Sequence, residues 1–215
     1  MGRQFNKQTS DDGDFIVAPE GTSAAVLTVL AYLGKHESTW QGETRMRDLV
    51  GLSWELAERA DDGRAIAVTE VVTNSLHEKS KLFSRVLALT GGREPPPGFD
   101  LEKLLGRGAI VTVVHDLRDG KTWANVGQVG PLPRGMPAPA TSVAPVYYDI
   151  EDHDRAAFEK MPARFRKLAE TGEVSKAAMP RIESPQAKME SRLAQQQRPA
   201  PLPTDAAPFD DDIPF

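Results

Sequence analysis

The chain has no cysteine among its 215 residues, so neither disulfides nor thiolate metal sites hold its fold, and a small secreted disulfide scaffold is excluded. A reducing, intracellular setting fits, and the expected location is cytoplasmic. No stretch approaches the roughly 20 apolar residues that span a bilayer, and residues 1–10 are polar, without the apolar core of a signal peptide. Net positive charge is missing too. Lys and Arg number 26 against 31 Asp and Glu, which leaves −5, the wrong sign for a chain that meets phosphates over its whole surface. Asp205, Asp210, Asp211 and Asp212 supply four of those negatives near the C-terminal end. The remainder is close to neutral and has room for a local basic stripe. Catalytic signatures are also absent: no HExxH, Walker glycine loop, nucleophile elbow or paired-carboxylate spacing occurs, and His36, His77, His115 and His153 are scattered. No catalytic residue, metal ligand or cofactor is assigned, and the expectation is a protein that is not an enzyme.

What is present is period-two alternation. Residues 24–33 read AAVLTVLAYL, with Leu27, Val29, Ala31 and Leu33 alternating with Val26, Thr28, Leu30 and Tyr32. A polar connection with Trp40 and Gly42 leads to a second strand over 44–56. Met46, Val50, Leu52, Trp54 and Leu56 share one face of it, and Arg45, Arg47, Ser53 and Glu55 the other. After the Asp61-Asp62-Gly63 turn, the β-branched run 66–73 makes a third strand. Ser75, three residues before Glu78, has capping-box spacing, and Leu82, Phe83, Val86, Leu87 and Leu89 recur at helical intervals until Gly91-Gly92. A short helical turn over 99–105 has Asp100 as its cap. Strands over 108–117 and 122–129 flank Asp119-Gly120, a tight-turn dipeptide.

This order predicts a mainly β fold with α additions: a five-stranded OB-fold Greek-key barrel with its helix between strands three and four. Other small barrels share parts of the order. A Pro/Ala/Gly connector over 131–145 precedes residues 147–150 and a C-terminal helix over 153–170, broken at Met161-Pro162, which Phe158, Phe165 and Leu168 would dock on the barrel. The expected organisation is a flexible N-terminus (1–14), a barrel domain (15–135), the connector and packed C-terminal helix (136–172), a disordered linker (173–207) and an acidic interaction tip (208–215).

The tip joins Phe209 and the carboxylates of Asp210, Asp211 and Asp212 to the apolar, proline-stiffened Ile213-Pro214-Phe215. A solubilising tail accounts for the aspartates but not for the apolar residues, which mark an interaction site. These residues resemble the C-terminal tip of bacterial single-stranded DNA-binding proteins. That resemblance implies recruitment of replication, recombination and repair proteins of host or phage. The runs Trp54-Glu55-Leu56, 75–82 (SLHEKSKL) and 120–126 (GKTWANV) are similar to OB-fold single-stranded DNA-binding proteins of bacteriophages. That second likeness implies a phage or prophage origin and single-stranded DNA as ligand, with no membrane partner. Self-association stays open.

An OB surface stacks bases on exposed aromatics and tracks phosphates with Lys and Arg. Tyr32 and Trp40 are the preferred stackers, with core packing the other reading of Tyr32. Trp54 reads as core. Trp123, beside Arg118 and Lys121, stacks a base or caps one end of the barrel. Arg45 and Arg47 on the polar face of the second strand, and Lys79, Lys81 and Arg85 around the first turns of the helix, meet phosphates or are solvated surface charge. The rival to DNA binding is an adaptor or decoy that displays the tip to capture host proteins without touching DNA.

Overall fold

The computed structural model describes residues 16–40 and 42–173, with only the backbone of Trp40. The expected linker after Glu173 and the tip, residues 208–215, lie outside the described residues, and Glu173 itself exchanges backbone hydrogen bonds with Lys35. A single long strand organises the rest: β1 (Gly21–Trp40), whose two faces are both apolar over 25–33. It pairs antiparallel with β2 (Glu43–Arg59) along one side. Along the other it pairs first with β4 (Gly108–Arg118), antiparallel, and then with β6 (Val146–Asp149), parallel. With β3 (Ala65–Thr73) and β5 (Lys121–Pro131), the sheet reads β3-β2-β1-β4-β5, and β6 lies off this path. The fold is thus mainly β and antiparallel.

The alternation of 24–33 does not run through unbroken. Register shifts between Leu27 and Val29 and between Tyr32 and Gly34 mark irregularities in β1, and one extra residue sends the following side chains to the other face. Ala25, Leu27, Leu30 and Tyr32 therefore enter one core with Trp54, Val68, Val86 and Val111. Val29, Ala31 and Leu33 enter a second, beneath β6, α2 (Arg155–Lys160) and α3 (Ala163–Thr171). Each fully buried large apolar side chain here contributes about 1.5–3 kcal/mol.

The second core also corrects the polar face expected for β2. Ser53 and Glu55 are buried rather than solvated, and at the other end of the strand Met46 is exposed. Gly51 explains how α3 comes so close: a Cβ there would sit 2.9 Å from atoms of the buried Phe165 ring, so glycine makes room for it. The predicted C-terminal helix is two short ones. Pro162 opens the second, since proline fits a helix start but not its interior.

Helix α1 (Lys81–Leu89) starts later than the Ser75–Glu78 spacing predicts. Ser80 is the cap, accepting from the Phe83 amide at 3.1 Å, and Ser75 instead holds the preceding turn. The short helical turn falls at Leu101–Leu104, with Asp100 accepting from the Glu102 amide as expected.

Arg85 is the main surprise of α1. Its guanidinium forks onto Glu70 of β3 at 3.0 Å and donates to the Gly127 carbonyl of β5 at 3.1 Å, and Trp54 of β2 donates its indole N–H to the same carboxylate at 3.1 Å. All three side chains are buried. Four elements are tied by one ion pair, and the tie bridges the two outermost strands of the sheet.

At the far end of β2, Glu55 and Arg59 hold the Pro-rich connector. Glu55 accepts from the Ser142 amide at 2.7 Å and from Arg59 at 2.8 Å, and Arg59 also donates to the Ser142 hydroxyl. Burial pushes the Glu55 carboxyl up, but these donors outweigh it and hold it below its ordinary value. Among the described residues, no helix is long and apolar enough to cross a membrane.

Candidate nucleic-acid interface

The charged candidates divide between two hairpins. β1 and β2 run together out to Trp40 and Glu43, with Gly42 at φ +83° making the turn. β4 and β5 run out to Arg118 and Lys121, turning through Asp119 at φ +51° and Gly120 at φ +71°. Positive φ at both central residues is the hairpin geometry that an Asp-Gly pair favours. β4 pairs with β1 only from Gly21 to Val26, the N-terminal part of β1, while the other hairpin continues its C-terminal part. The two ribbons therefore leave the sheet from opposite ends of β1.

Where the first ribbon meets the sheet, three cations gather around a cleft of about 550 Å³. Its walls are Arg47 of β2, Val71, Val72 and Thr73 of β3, and the turn carrying Ser75, His77, Lys79, Ser80 and Lys81. Arg47, Lys79 and Lys81 are exposed. None of the three is in an ion pair among the described residues, and no carboxylate lines the cleft.

The turn that presents the lysines is tightly specified. The Ser80 hydroxyl donates to the Ser75 carbonyl at 2.5 Å, the Ser80 amide donates to the His77 carbonyl at 2.7 Å, and the Lys79 amide donates to His77 Nδ1 at 3.2 Å. Asn74 fastens its start to β2, donating through its amide to the Asp48 carbonyl and through Nδ2 to the Asp48 carboxylate, each at 2.8 Å. Side-chain bonds of this kind replace the helix that the spacing suggested. Arg47 also lines a neighbouring cleft of about 200 Å³ with Ser38, Glu43 and Arg45. The positive track runs from Lys81 to Arg47 and stops at Arg45, whose charge is taken by Glu43 at 2.5 Å.

The second ribbon carries Trp123, 51% exposed, opposite Asp116, with Lys121 and Arg118 toward the tip. Asp116 pairs Arg118 at 2.5 Å, so Lys121 is the cation left without a carboxylate partner there among the described residues. Half of Trp123 is bare, which leaves ring surface accessible to a base.

Tyr32 is a correction. It is 6% exposed, packed edge to face on Tyr147 with ring centres 6.1 Å apart, and burial together with nearby Asp149 pushes its hydroxyl well above the ordinary value. The irregularities in β1 put it in the core, so it cannot meet a base. Arg85, read among the basic candidates, is likewise buried on Glu70. Trp54 is fully buried, as its apolar neighbours implied. The backbone of Trp40 ends β1, and its side chain lies outside the described residues. Residues 209–215 lie outside them too.

The sequence reading missed Thr73, Ser75, His77 and Ser80 as lining groups. The signal was the density of polar side chains with short reach over 73–81, which was read as helix capping. Among the described residues, no group of three His, Asp or Glu side chains is placed to hold a metal ion. No protein-family model matches the chain, and no curated protein matches it in sequence.

Proposed function

We propose that this protein binds single-stranded DNA without sequence preference and brings DNA-processing proteins to it through residues 209–215. The observation that carries the first half is the cleft lined by Arg47, Lys79 and Lys81 with no carboxylate among its described lining residues. Three exposed cations at one cleft, with no carboxylate partner among the described residues, form a local positive patch that suits an anionic ligand. Hydroxyls of Thr73 and Ser75 between them suit phosphate and sugar oxygens, while that of Ser80 is spent on the Ser75 carbonyl. Exposed Trp123 on the other ribbon supplies a ring for base stacking, worth about 1–3 kcal/mol.

The strand order β3-β2-β1-β4-β5, with α1 between β3 and β4, supports reading the fold as an OB barrel, whose β1–β2 and β4–β5 loops and strand 2–3 face hold oligonucleotides. The two ribbons correspond to those loops, and the wall of the cleft formed by Arg47, Val71, Val72 and Thr73 belongs to strands 2 and 3, while Lys79 and Lys81 reach it from the β3–α1 turn. The phage origin and the recruiting role rest on the sequence resemblances alone.

Fluorescence anisotropy of a labelled oligonucleotide, titrated with the full chain at rising salt, tests the DNA half. The cleft predicts that log K falls against log salt with a slope of about −2, three contacts at ~0.7 each. Absence of binding at low salt would leave the adaptor reading. The full chain is needed, because a fragment ending near residue 134 would strip β6, α2 and α3 from Val29, Ala31 and Leu33. Recruitment is tested by deleting Phe215 alone: pull-down of partner proteins from a bacterial lysate should be lost while DNA binding stays, and unchanged pull-down would sink it.

A further inference from the structure

We propose that the β4–β5 ribbon is a self-pairing edge, through which two copies of this chain join β4 against β4 about a two-fold axis at Leu117. Among the described residues the edge is open, because β1 covers β4 only as far as Val113, which faces Gly21. The chain before Gly21 turns away. Pro19 has no N–H to offer a neighbouring strand, Ala18 is buried and Ile16 packs on the core. His115 makes the last contacts on that side, its Nε2 lying 2.7 Å from the Ala18 carbonyl and its amide donating to the Glu20 carboxylate at 3.5 Å. Asp116, Leu117 and Arg118 follow with β5 on one side and, among the described residues, no strand on the other.

The hairpin turn decides which backbone groups face outward. A two-residue turn over 119–120 closes on the pair Arg118 and Lys121, and in such a hairpin the closing pair exchanges both hydrogen bonds, as does every second pair after it. Arg118 and Asp116 thus spend their N–H and C=O on β5. Those of Leu117 point to the open edge. Its side chain is 73% exposed, the barest large apolar group among the described residues. An edge strand with free donors and acceptors is a template for another strand, and a two-stranded ribbon alone in water is only marginally stable.

What makes a second copy the fitting partner is the order of charges. Antiparallel pairing centred on Leu117 sets Leu117 against Leu117 of the second copy and Asp116 against its Arg118. That charge pair occurs twice and no like charges stand directly opposite each other, which is the self-complementarity a two-fold interface requires. In one chain Asp116 and Arg118 satisfy each other at 2.5 Å with both side chains accessible, so pairing only exchanges their partners. The joined ribbons form a four-stranded sheet with Trp123 of both copies on the face that bears Asp116 and Arg118. If the DNA reading holds, that face offers two stacking rings, but the pairing itself does not rest on it.

Sedimentation velocity of the full chain without DNA tests the proposal, with circular dichroism confirming that each variant is folded. The wild-type chain of 23.5 kDa should sediment as two chains at micromolar concentration. Asp116→Arg and Arg118→Asp each set like charges face to face, and each should weaken self-association by about tenfold or more. The double swap restores opposite charges and should restore the dimer. A wild-type chain that stays monomeric, an oligomer indifferent to the single substitutions, or a double variant that fails to recover would each overturn it.

Discussion

Lys79, Lys81 and Arg85 lie within seven positions of one another, yet the structure treats them in opposite ways. Arg85 is buried, forked onto Glu70 and bonded to a backbone carbonyl, so its charge is fully used in holding four elements together. Lys79 and Lys81 stand at a cleft with Arg47 and have no carboxylate partner among the described residues. A basic residue close to another in sequence need not share its role. What separates them is helical phase: Leu82, Arg85, Val86 and Leu89 fall on the face of α1 that meets the sheet, while Lys79 and Lys81 precede or open the helix.

Breaking the buried half should cost most. Arg85→Ala leaves the Glu70 carboxylate without its charge partner in the interior, and about 3–5 kcal/mol of stability should be lost in urea unfolding. A loss below about 1 kcal/mol would mean that the ion pair is not what bridges β3 and β5.

The same contrast shows how far the sequence could be read. The first five strand segments, the Asp119-Gly120 turn, the Asp100 cap and the break at Pro162 follow from local rules, because turn residues and proline act within a few positions; the sixth strand and its parallel pairing with β1 do not. The phase of β1 was not legible. Its irregularities depend on which strands press on each side, and they moved Tyr32 from a presumed outer face into the core. Nor did period two reveal that β2 is covered on both faces, although Gly51 amid bulky neighbours was a cue for something packed close. Of the candidate site, single cations were visible, but which of them converge depends on contacts between β2, β3 and the turn before α1. The capping-box reading of Ser75 and Glu78 failed because Ser80, five residues on, makes the better cap.

The comparison extends to the aromatics, at a smaller expected effect. Trp123→Ala should weaken binding of single-stranded DNA by about 1–3 kcal/mol and leave the melting temperature nearly unchanged. Tyr32→Phe should leave DNA binding unchanged, since that ring faces the core. Loss of binding in the second variant but not the first would reverse the assignment of inner and outer rings.

Smaller still is the effect of the two lysines. Lys79→Ala with Lys81→Ala should reduce the steepness of the salt dependence by about 1.4, at ~0.7 for each phosphate contact, with no change in unfolding. An unchanged slope would return both residues to ordinary solvated surface.

The smallest effect concerns the connector. The Glu55 carboxyl is held below its ordinary value in the folded chain, so its contribution is fully present above the ordinary carboxylate range. It is lost as pH falls through the lowered value. Glu55→Gln should remove that part of the acid-side loss of stability, read from melting temperatures across an acidic pH series. Identical acid profiles for the two proteins would show that the link from β2 to Ser142 does not titrate.

The central claim is that the unpartnered cations serve a single strand of DNA. Its most direct test is one oligonucleotide presented to the full chain as a single strand and as a duplex, with the wild type and with Arg47, Lys79 and Lys81 all changed to Ala. The account predicts tight, salt-sensitive binding of the single strand, much weaker binding of the duplex, and loss of the single-strand preference in the triple variant while its unfolding curve stays unchanged. Equal binding of both forms, or a triple variant that binds as the wild type does, would contradict it.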